Sequence, residues 1–474
     1  MLKQQASETR EPATKQLSKL TIVGYGAGDL ANNLAFTLST TYLLLYYTDV
    51  AGISAAAAGT LFLLVRFFDA FADVFAGRIV DRTFHRKLGK FRPFILFGGL
   101  PLLIMSALTF SVPADWSHDG KLAYAYLTYA GLGLAYSMVN IPYGSLAGAM
   151  TQQPAERAKL GAARSCGSLI VGSGLLFFIT PLTKQGAAQL QPLFTTLTIT
   201  FVVVGMALYL MTVFTTREVV HREVPKVTFK QSLATLKGNR PLLMLCMSSL
   251  LMLTASTGLS TIQVYYLRDV LQNVSLAQPM AVINVVLAVV VIVLTPAMVR
   301  RWGKKALYLM AGGLVMLGSL MVMLTPHSLT YLAFTGLVVS LLGVQMMNIV
   351  VWALEADTVE YGEARTGVRT EGIIYSLFSF TRKMGQALGG AVMAYAIASA
   401  GYVRSETGQS DATIQGLQLA AGLVPLVLCA LGMAIMRFYK LTDIAHAEIV
   451  AEIKARQAVS ASEHSQAAVH VEGR

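Results

Sequence analysis

Charge is scarce in this chain. Of its 474 residues, 13% are Asp, Glu, Lys or Arg, against 55% apolar. A soluble chain of that length would alternate polar and apolar faces over two or three domains. Here apolar stretches of about 18 residues or more recur along nearly the whole length, enough to span a bilayer each time. Cysteine is almost missing: Cys166, Cys246 and Cys429 each sit inside an apolar run, with no disulfide framework and no metal-ligand spacing. None of the seven histidines (85, 118, 221, 327, 446, 464 and 470) falls in an apolar run, which argues against a histidine relay or metal centre within the membrane. The first twenty residues hold Glu8, Arg10 and Glu11 and no apolar core, so no signal peptide is expected. No nucleophile motif, metal cluster or nucleotide loop is present, so neither an enzyme nor a bound cofactor is expected.

The basic residues present are not clustered as a nucleic-acid face would be, despite a formal charge of +12. They fall in short connections between about twelve apolar runs, near 21–47, 54–80, 92–112, 122–148, 160–182, 193–214, 241–267, 277–299, 306–325, 329–355, 372–399 and 414–437. Alternate connections are rich in Lys and Arg, as at Arg82 to Arg92, Arg217 to Arg240, and Arg300 to Lys305. The others carry only Lys121, Lys184, Arg268 and Arg404. By the positive-inside rule the rich set is cytoplasmic, and so are both termini. The expectation is an all-α, multi-pass membrane protein.

The connection 216–240 is the longest and divides the chain. Expected segments are a cytoplasmic stretch 1–20, a six-helix bundle 21–215, the linker 216–240, a second bundle 241–440 and a tail 441–474. Gly89-Lys90 is followed nine residues later by Gly98-Gly99-Leu100, and Gly303-Lys304 nine later by Gly312-Gly313-Leu314. Both pairs open the third helix of their half. Parallel six-helix repeats are the pattern of facilitator-type transporters, whose substrate site lies between the repeats. From Thr442 to about Arg456, Ile444, Ile449 and Ile453 alternate with charged residues, as in a short surface helix.

Within the second apolar run lie Arg66, Asp69 and Asp73, at the i, i+3, i+7 spacing that puts all three on one helix face. An ionisable residue at the centre of a membrane helix costs roughly 2.5 to 3.5 kcal/mol, so these side chains must face protein or water. A structural ion pair with Arg66 accounts for one acid. The second has no obvious mate on its own helix, and paired carboxylates at that depth can bind and release a cation.

The stretch Asp73-x3-Gly77-x3-Asp81-x7-Gly89-Lys90-Phe91-Arg92-Pro93 resembles the signature of the glycoside–pentoside–hexuronide:cation symporters, the melibiose-carrier branch of the major facilitator superfamily. Tyr46-Tyr47-Thr48-Asp49-Val50, Asn140-Ile141-Pro142-Tyr143 and Asp357-Thr358-Val359-Glu360-Tyr361-Gly362-Glu363 look like that family too. Gly28-Asp29, Ala31-Asn32-Asn33 and Asp115-Trp116-Ser117-His118 resemble its glucuronide-carrying members. The resemblance implies a twelve-helix major facilitator fold and cation-coupled glycoside uptake. It matches Asp69 and Asp73 to cation-binding carboxylates, and Arg164 and Lys383 to basic residues near the sugar. Tyr136 and Ser137 fall in the fourth-helix region bordering both sites.

Two departures bear on the substrate. Melibiose-type members carry sugar-gripping carboxylates where this chain has Asn33 and Asn140, and an aromatic where it has Gly144. Amides still donate to and accept from sugar hydroxyls. With two acids removed, the charges of Arg164 and Lys383 are expected to be otherwise unpaired, and to favour an anionic sugar such as a glucuronide. The expected coupling ion is the proton, with sodium open. A neutral glycoside or pentoside is the alternative substrate, and a sensor or enzyme on a transporter-like fold the alternative of another class.

Plainer readings stand beside these. Arg164, near an expected helix end, is able to snorkel. Asn32, Asn33 and Asn140 are equally suited to bonding neighbouring helices, and Asp29 has no separable role. Gly385 and Gly389, beside Lys383, suit helix packing. Asp81, Arg82, Lys90 and Arg92 are expected to form a charged latch between cytoplasmic helix ends. Asp357 and Glu360, facing Arg365 and Arg369, would form the matching gate of the second half.

Overall fold

The computed structural model describes residues 16–151, 154–184, 186–219, 238–326, 328–366, 371–403, 408–453 and 455–456. The chain forms two compact units, Met1–Val224 and Pro225–Arg474. Among the described residues the first contains six long helices: α1 (Lys19–Tyr46), α2 (Ala55–Arg82), α3 (Arg92–Thr109), α4 (His118–Met150), α5 (Pro154–Phe178) and α6 (Ala187–Thr215). The second contains α7 (Arg240–Tyr265), α8 (Ala277–Trp302), α9 (Lys304–Leu324), α10 (Thr330–Thr366), α11 (Glu371–Ser399) and α12 (Asp411–Arg437). Eight of the twelve are long and apolar enough to cross a membrane by length and composition. The other four, α1, α2, α4 and α11, carry Asp29 and Asn33, Arg66 with the two acids, Ser137 and Asn140, and Lys383.

Local sequence explains where several helices begin. Ser18, Ser54, Ser117 and Ser410 each accept a hydrogen bond through Oγ from the backbone N–H three residues on, satisfying a donor that the first turn leaves unpaired. Along α8, Val282, Val286, Val289 and Val293 lie exposed, as an apolar helix would toward lipid. One boundary differs from expectation: α10 runs to Thr366, so Asp357 and Glu360 stand on its last turns.

The two units repeat one packing scheme. α1 packs on α5 and α6, α3 on α4 and α6, and α2 on α4. Six helices later, α7 packs on α11 and α12, α9 on α10 and α12, and α8 on α10. The Gly-Lys repeat has a physical cause in this scheme. Gly89 and Gly303 both adopt left-handed backbone, φ 85° and 80°, just before the third helix of their unit. A carboxylate from the segment after the sixth helix then docks on that helix start. Glu218 accepts from the N–H groups of Lys90, Phe91 and Arg92 at 2.8, 2.8 and 3.1 Å. Asp443 accepts from the Lys304 N–H at 2.9 Å. A Cβ on either glycine would strike that carboxylate. Anions at helix N-termini are favoured by unpaired N–H groups and the helix dipole together.

A second echo is absent from the expectations. α1 and α7 both end in a π-helical turn, Tyr47–Ala51 and Tyr266–Val270. Tyr46-Tyr47 and Tyr265-Tyr266 lead into these turns, Tyr47 and Tyr266 being their first residues, and Asp49 and Asp269 lie inside them.

Glu218→Ala removes the acceptor of three N–H groups. It is expected to cost about 2 kcal/mol of stability, hydrogen bonds to charged groups being worth roughly 1.5–3 kcal/mol each before water replaces them. Thermal unfolding in detergent checks this: Glu218→Ala should melt clearly below wild type, and Glu218→Gln between the two.

Candidate functional site

α2 and α4 run side by side in the same direction, and their facing residues form a ladder. Arg66 donates through Nη2 to the Tyr129 hydroxyl at 3.0 Å and through Nη1 to Asp69 Oδ2 at 2.9 Å. One turn on, Gly133 leaves the room that the Asp69 carboxylate fills, and a Cβ there would collide with it. A further turn on, the Ser137 hydroxyl donates to Asp73 Oδ1 at 2.6 Å. Tyr129, Gly133 and Ser137 recur every four residues, so one stripe of α4 receives all three charged side chains of α2. Arg66 and Asp69 are each about one-sixth exposed, 18% and 17%. The pair is therefore largely sheltered. Asp69, Asp73 and Ser137 come together as expected, and the mate of the second acid is on α4.

The same α4 stripe continues through half-buried Asn140 to Gly144, which lies 4.0 Å (from the Cβ it lacks) from Arg164 Nη1. Arg164 is held within the unit. Its Nε donates to Asp29 Oδ1 at 3.2 Å, and its guanidinium lies 5.3 Å from the centre of the Tyr143 ring. Asp29 is only 4% exposed. Its other oxygen accepts from the Ser168 hydroxyl at 2.7 Å and from Asn33 Nδ2 at 2.8 Å. Small residues allow this meeting: a Cβ on Gly167 would sit 3.0 Å from the Leu30 nitrogen and 3.1 Å from the Gly26 oxygen, so α1 and α5 cross nearly backbone to backbone. Tyr25 and Tyr143 stack at 4.8 Å, and the Tyr143 hydroxyl donates to the Tyr25 carbonyl at 2.6 Å, joining α1 to α4.

Arg164 is thus paired, and the expectation of an otherwise unpaired basic charge there is corrected. The mate is Asp29, to which the sequence reading gave no role. The signal was available: Asp29 is a lone acid within an apolar run, the criterion that singled out Asp69. Asn32 and Asn33 divide the roles left open for them. Asn32 accepts from the Tyr209 hydroxyl at 2.7 Å and so ties α1 to α6, while Asn33 serves the Asp29 cluster. Tyr136 stacks on Phe36 at 5.1 Å. Lys383 belongs to the second unit, on α11 beside Arg382, whose guanidinium lies 4.9 Å from the Trp352 ring centre.

The residues expected to gate are fastened within each unit. Arg92 Nη1 donates to the Thr216 carbonyl at 3.1 Å, clamping the start of α3 to the end of α6. Lys90 lies against the Phe91 ring, 5.6 Å from its centre, and Arg82 is exposed at the end of α2. The side chain of Asp81, and Arg369 altogether, lie outside the described residues. In the second unit Asp357 and Glu360 were expected to face Arg365 and Arg369. Instead the Lys304 ammonium donates to Asp357 Oδ1 at 2.6 Å, and His446 Nε2 lies 2.5 Å from Glu360 Oε2. Arg365 stacks over Tyr361. His446 stands on a tail helix, 443–453, whose Ile449 packs against the core of the second unit, so that helix is docked rather than free on the surface. Asp357, Glu360 and His446 offer ligand atoms within 4.8 Å of one another, a spacing that suits a metal ion. The Lys304 ammonium already holds the Asp357 carboxylate, and the group serves to fasten the tail helix.

Gly133→Ala should displace the Asp69 carboxylate and cut substrate accumulation by about tenfold or more, a cost of about 1.4 kcal/mol or above. Gly148→Ala, on the same helix with nothing within 4 Å of the added Cβ, should transport normally. Uptake by membrane vesicles holding equal amounts of each protein makes the comparison.

Residues 24–443 match the family described as MFS/sugar transport protein. The chain is 48% identical over 447 residues to the glucuronide carrier protein homolog of Escherichia coli (strain K12), covering 94% of this chain and 97% of that one. It is 35% identical to an uncharacterized symporter, YnaJ, of Bacillus subtilis (strain 168), over 94% and 96% of the two chains. Among solved structures, a bacterial homolog of the human lysosomal transporter Spinster, inward-facing and unoccupied, superposes with a TM-score of 0.64. That likeness covers 91% of this chain and 97% of the other at 16% identity, and so speaks for the fold alone. Two six-helix units with one packing scheme and charges buried at the α1, α2, α4 and α5 contacts belong, with these matches, to one conclusion: the chain is a membrane transporter of the MFS sugar-transport family, not an enzyme.

Proposed function

We propose that this transporter imports glucuronides, or closely similar hexuronide glycosides, by proton symport across a bacterial inner membrane, with both termini in the cytoplasm. The single observation that carries the reading is the α4 stripe. It places the Asp69–Asp73 acids a few turns from the Arg164 guanidinium on one continuous surface. A carrier that couples an anion to a cation needs such neighbouring sites of opposite preference. The glucuronide carrier homolog at 48% identity supports the substrate class, and the symporter relative supports coupling.

The two acids have different partners. Asp69 is engaged by the fixed Arg66 cation, whereas Ser137 offers Asp73 a neutral hydroxyl that is able to donate to the carboxylate or accept from the acid. Asp73, beside the Ser137 hydroxyl, and Asp69, beside Arg66, are together the acid pair assigned here to the exchange of the proton. Arg164, held edge-on by Asp29, presents its far nitrogens to the sugar carboxylate, and Lys383 is the second basic residue assigned to the substrate. Asn140 serves the sugar hydroxyls, Asn33 acts on the site through the Asp29 carboxylate it holds, and Tyr136 lines the passage between the two sites.

Asp73→Asn should keep glucuronide counterflow and lose uphill accumulation, because the neutral amide holds one protonation state permanently. Vesicle counterflow with pH and sodium varied independently tests this, and normal accumulation by the mutant contradicts the assignment. One proton moving with one monoanion carries no net charge. Uptake at a fixed pH gradient should therefore ignore membrane potential, which otherwise acts at about 2.3 kcal/mol per charge per 100 mV. A steep response to potential rules out one-to-one proton symport, and a requirement for sodium overturns the choice of ion.

A further inference from the structure

Asp29 does more than fill a polar gap. Its carboxylate is buried in the crossing of α1 and α5, fixed at one oxygen by Ser168 and Asn33 and at the other by Arg164. Asn33 is itself held by Thr37, whose hydroxyl donates to Asn33 Oδ1 at 3.0 Å. Among the described residues Asp29 accepts from Ser168, Asn33 and Arg164, of which Arg164 is the cation. The Arg164 side chain is 35% exposed, against 6% for Asp29. One end of the ion pair is anchored in protein and the other opens outward.

We propose that Asp29 is a built-in counter-ion that a substrate's acidic group must share Arg164 with, and that it thereby sets how tightly the carrier holds an anionic sugar. The inference rests on the hexuronide reading above and deepens it. With the site empty, Asp29 offsets the Arg164 charge, so the guanidinium is not stranded in a low-dielectric wall. When a uronate arrives at the outer nitrogens, two carboxylates share one guanidinium and each is held less firmly than it would be alone. The anion is consequently bound loosely enough to leave on the other side, as a carrier requires. Ser168 and Asn33 stabilise the Asp29 carboxylate while the guanidinium is shared. Their loss leaves Asp29 leaning more heavily on Arg164.

Opposite signs for two substitutions follow. Asp29→Asn retains a side chain of the same size and removes the competing charge. It should tighten glucuronide binding by about tenfold, roughly the 1.4 kcal/mol that one such factor represents, and slow turnover because release is slower. The matched uncharged glucoside should bind as it does to wild type. Ser168→Ala leaves the charge and removes one of its supports, and should weaken glucuronide binding several-fold with the glucoside again unmoved. Purified full-length protein is titrated with p-nitrophenyl glucuronide and p-nitrophenyl glucoside by calorimetry, and vesicle exchange supplies turnover. Equal changes for the two ligands in Asp29→Asn overturn the inference, as does selective weakening of the glucuronide, which would mean that Asp29 only aims Arg164. If Asp29→Asn does not accumulate in membranes, Ser168→Ala decides alone: tighter, unchanged or non-selective binding overturns the proposal. Wild type that fails to bind the glucuronide at all sinks the hexuronide reading and this inference with it, whereas wild-type binding with non-selective mutants sinks only the inference.

Discussion

Two ion pairs, Arg66–Asp69 and Arg164–Asp29, allow a bundle of apolar helices to keep charge in its interior. Removing one member of either pair would leave its partner's charge uncompensated in a sheltered site, which is costly. The pairs are built differently. Arg66 and Asp69 are neighbours on one helix and brace α2 against α4 through Tyr129. Arg164 and Asp29 join α5 to α1, where glycines allow close approach. α4 runs between them, giving Gly133 and Ser137 to one cluster and Tyr143 and Gly144 to the other. A shift of α4 would alter both clusters at once, the physical requirement for coupling a cation to an anion.

The repeat that builds each unit also fastens it. In both, a left-handed glycine lets a carboxylate from beyond the sixth helix cap the third, and in the second unit the adjoining lysine goes on to grip Asp357 on α10. These contacts tie helix ends within a unit. They leave each six-helix body internally braced. The docked tail helix adds to that bracing through His446 and Ile449.

Much of the fold was legible because membrane helices advertise themselves: long apolar runs, basic alternate connections and serine caps are local signals. Arg66, Asp69 and Asp73 were legible for the same reason, their spacing being within one helix. The Ser137–Asp73 contact joins residues 64 apart, and the Asp29–Arg164 pair residues 135 apart, which no periodicity reveals. The resemblance pointed to Ser137, whereas Asp29 had no separable role because its partner Arg164 lies on another helix and was read against the substrate. Glu218 was hidden among the polar residues of the linker, where an acid attracts no attention. The π-turn repeat was present in the Tyr-Tyr pairs at 46–47 and 265–266 and became visible only once both helices were seen to unwind there. Among the described residues, Arg365 is near Glu360 in sequence but stacks over Tyr361, whereas Lys304 reaches Asp357 and His446 reaches Glu360 in space.

The central claim is that the α2 acids and the anion site exchange their ligands together. Its most direct measurement is proton release or uptake when p-nitrophenyl glucuronide is added to purified transporter in weakly buffered detergent at alkaline pH. The account predicts that wild type takes up close to one proton per sugar bound, and that Asp73→Asn binds the sugar with no pH change. Sugar binding by wild type without proton uptake, or equal uptake by the mutant, contradicts it.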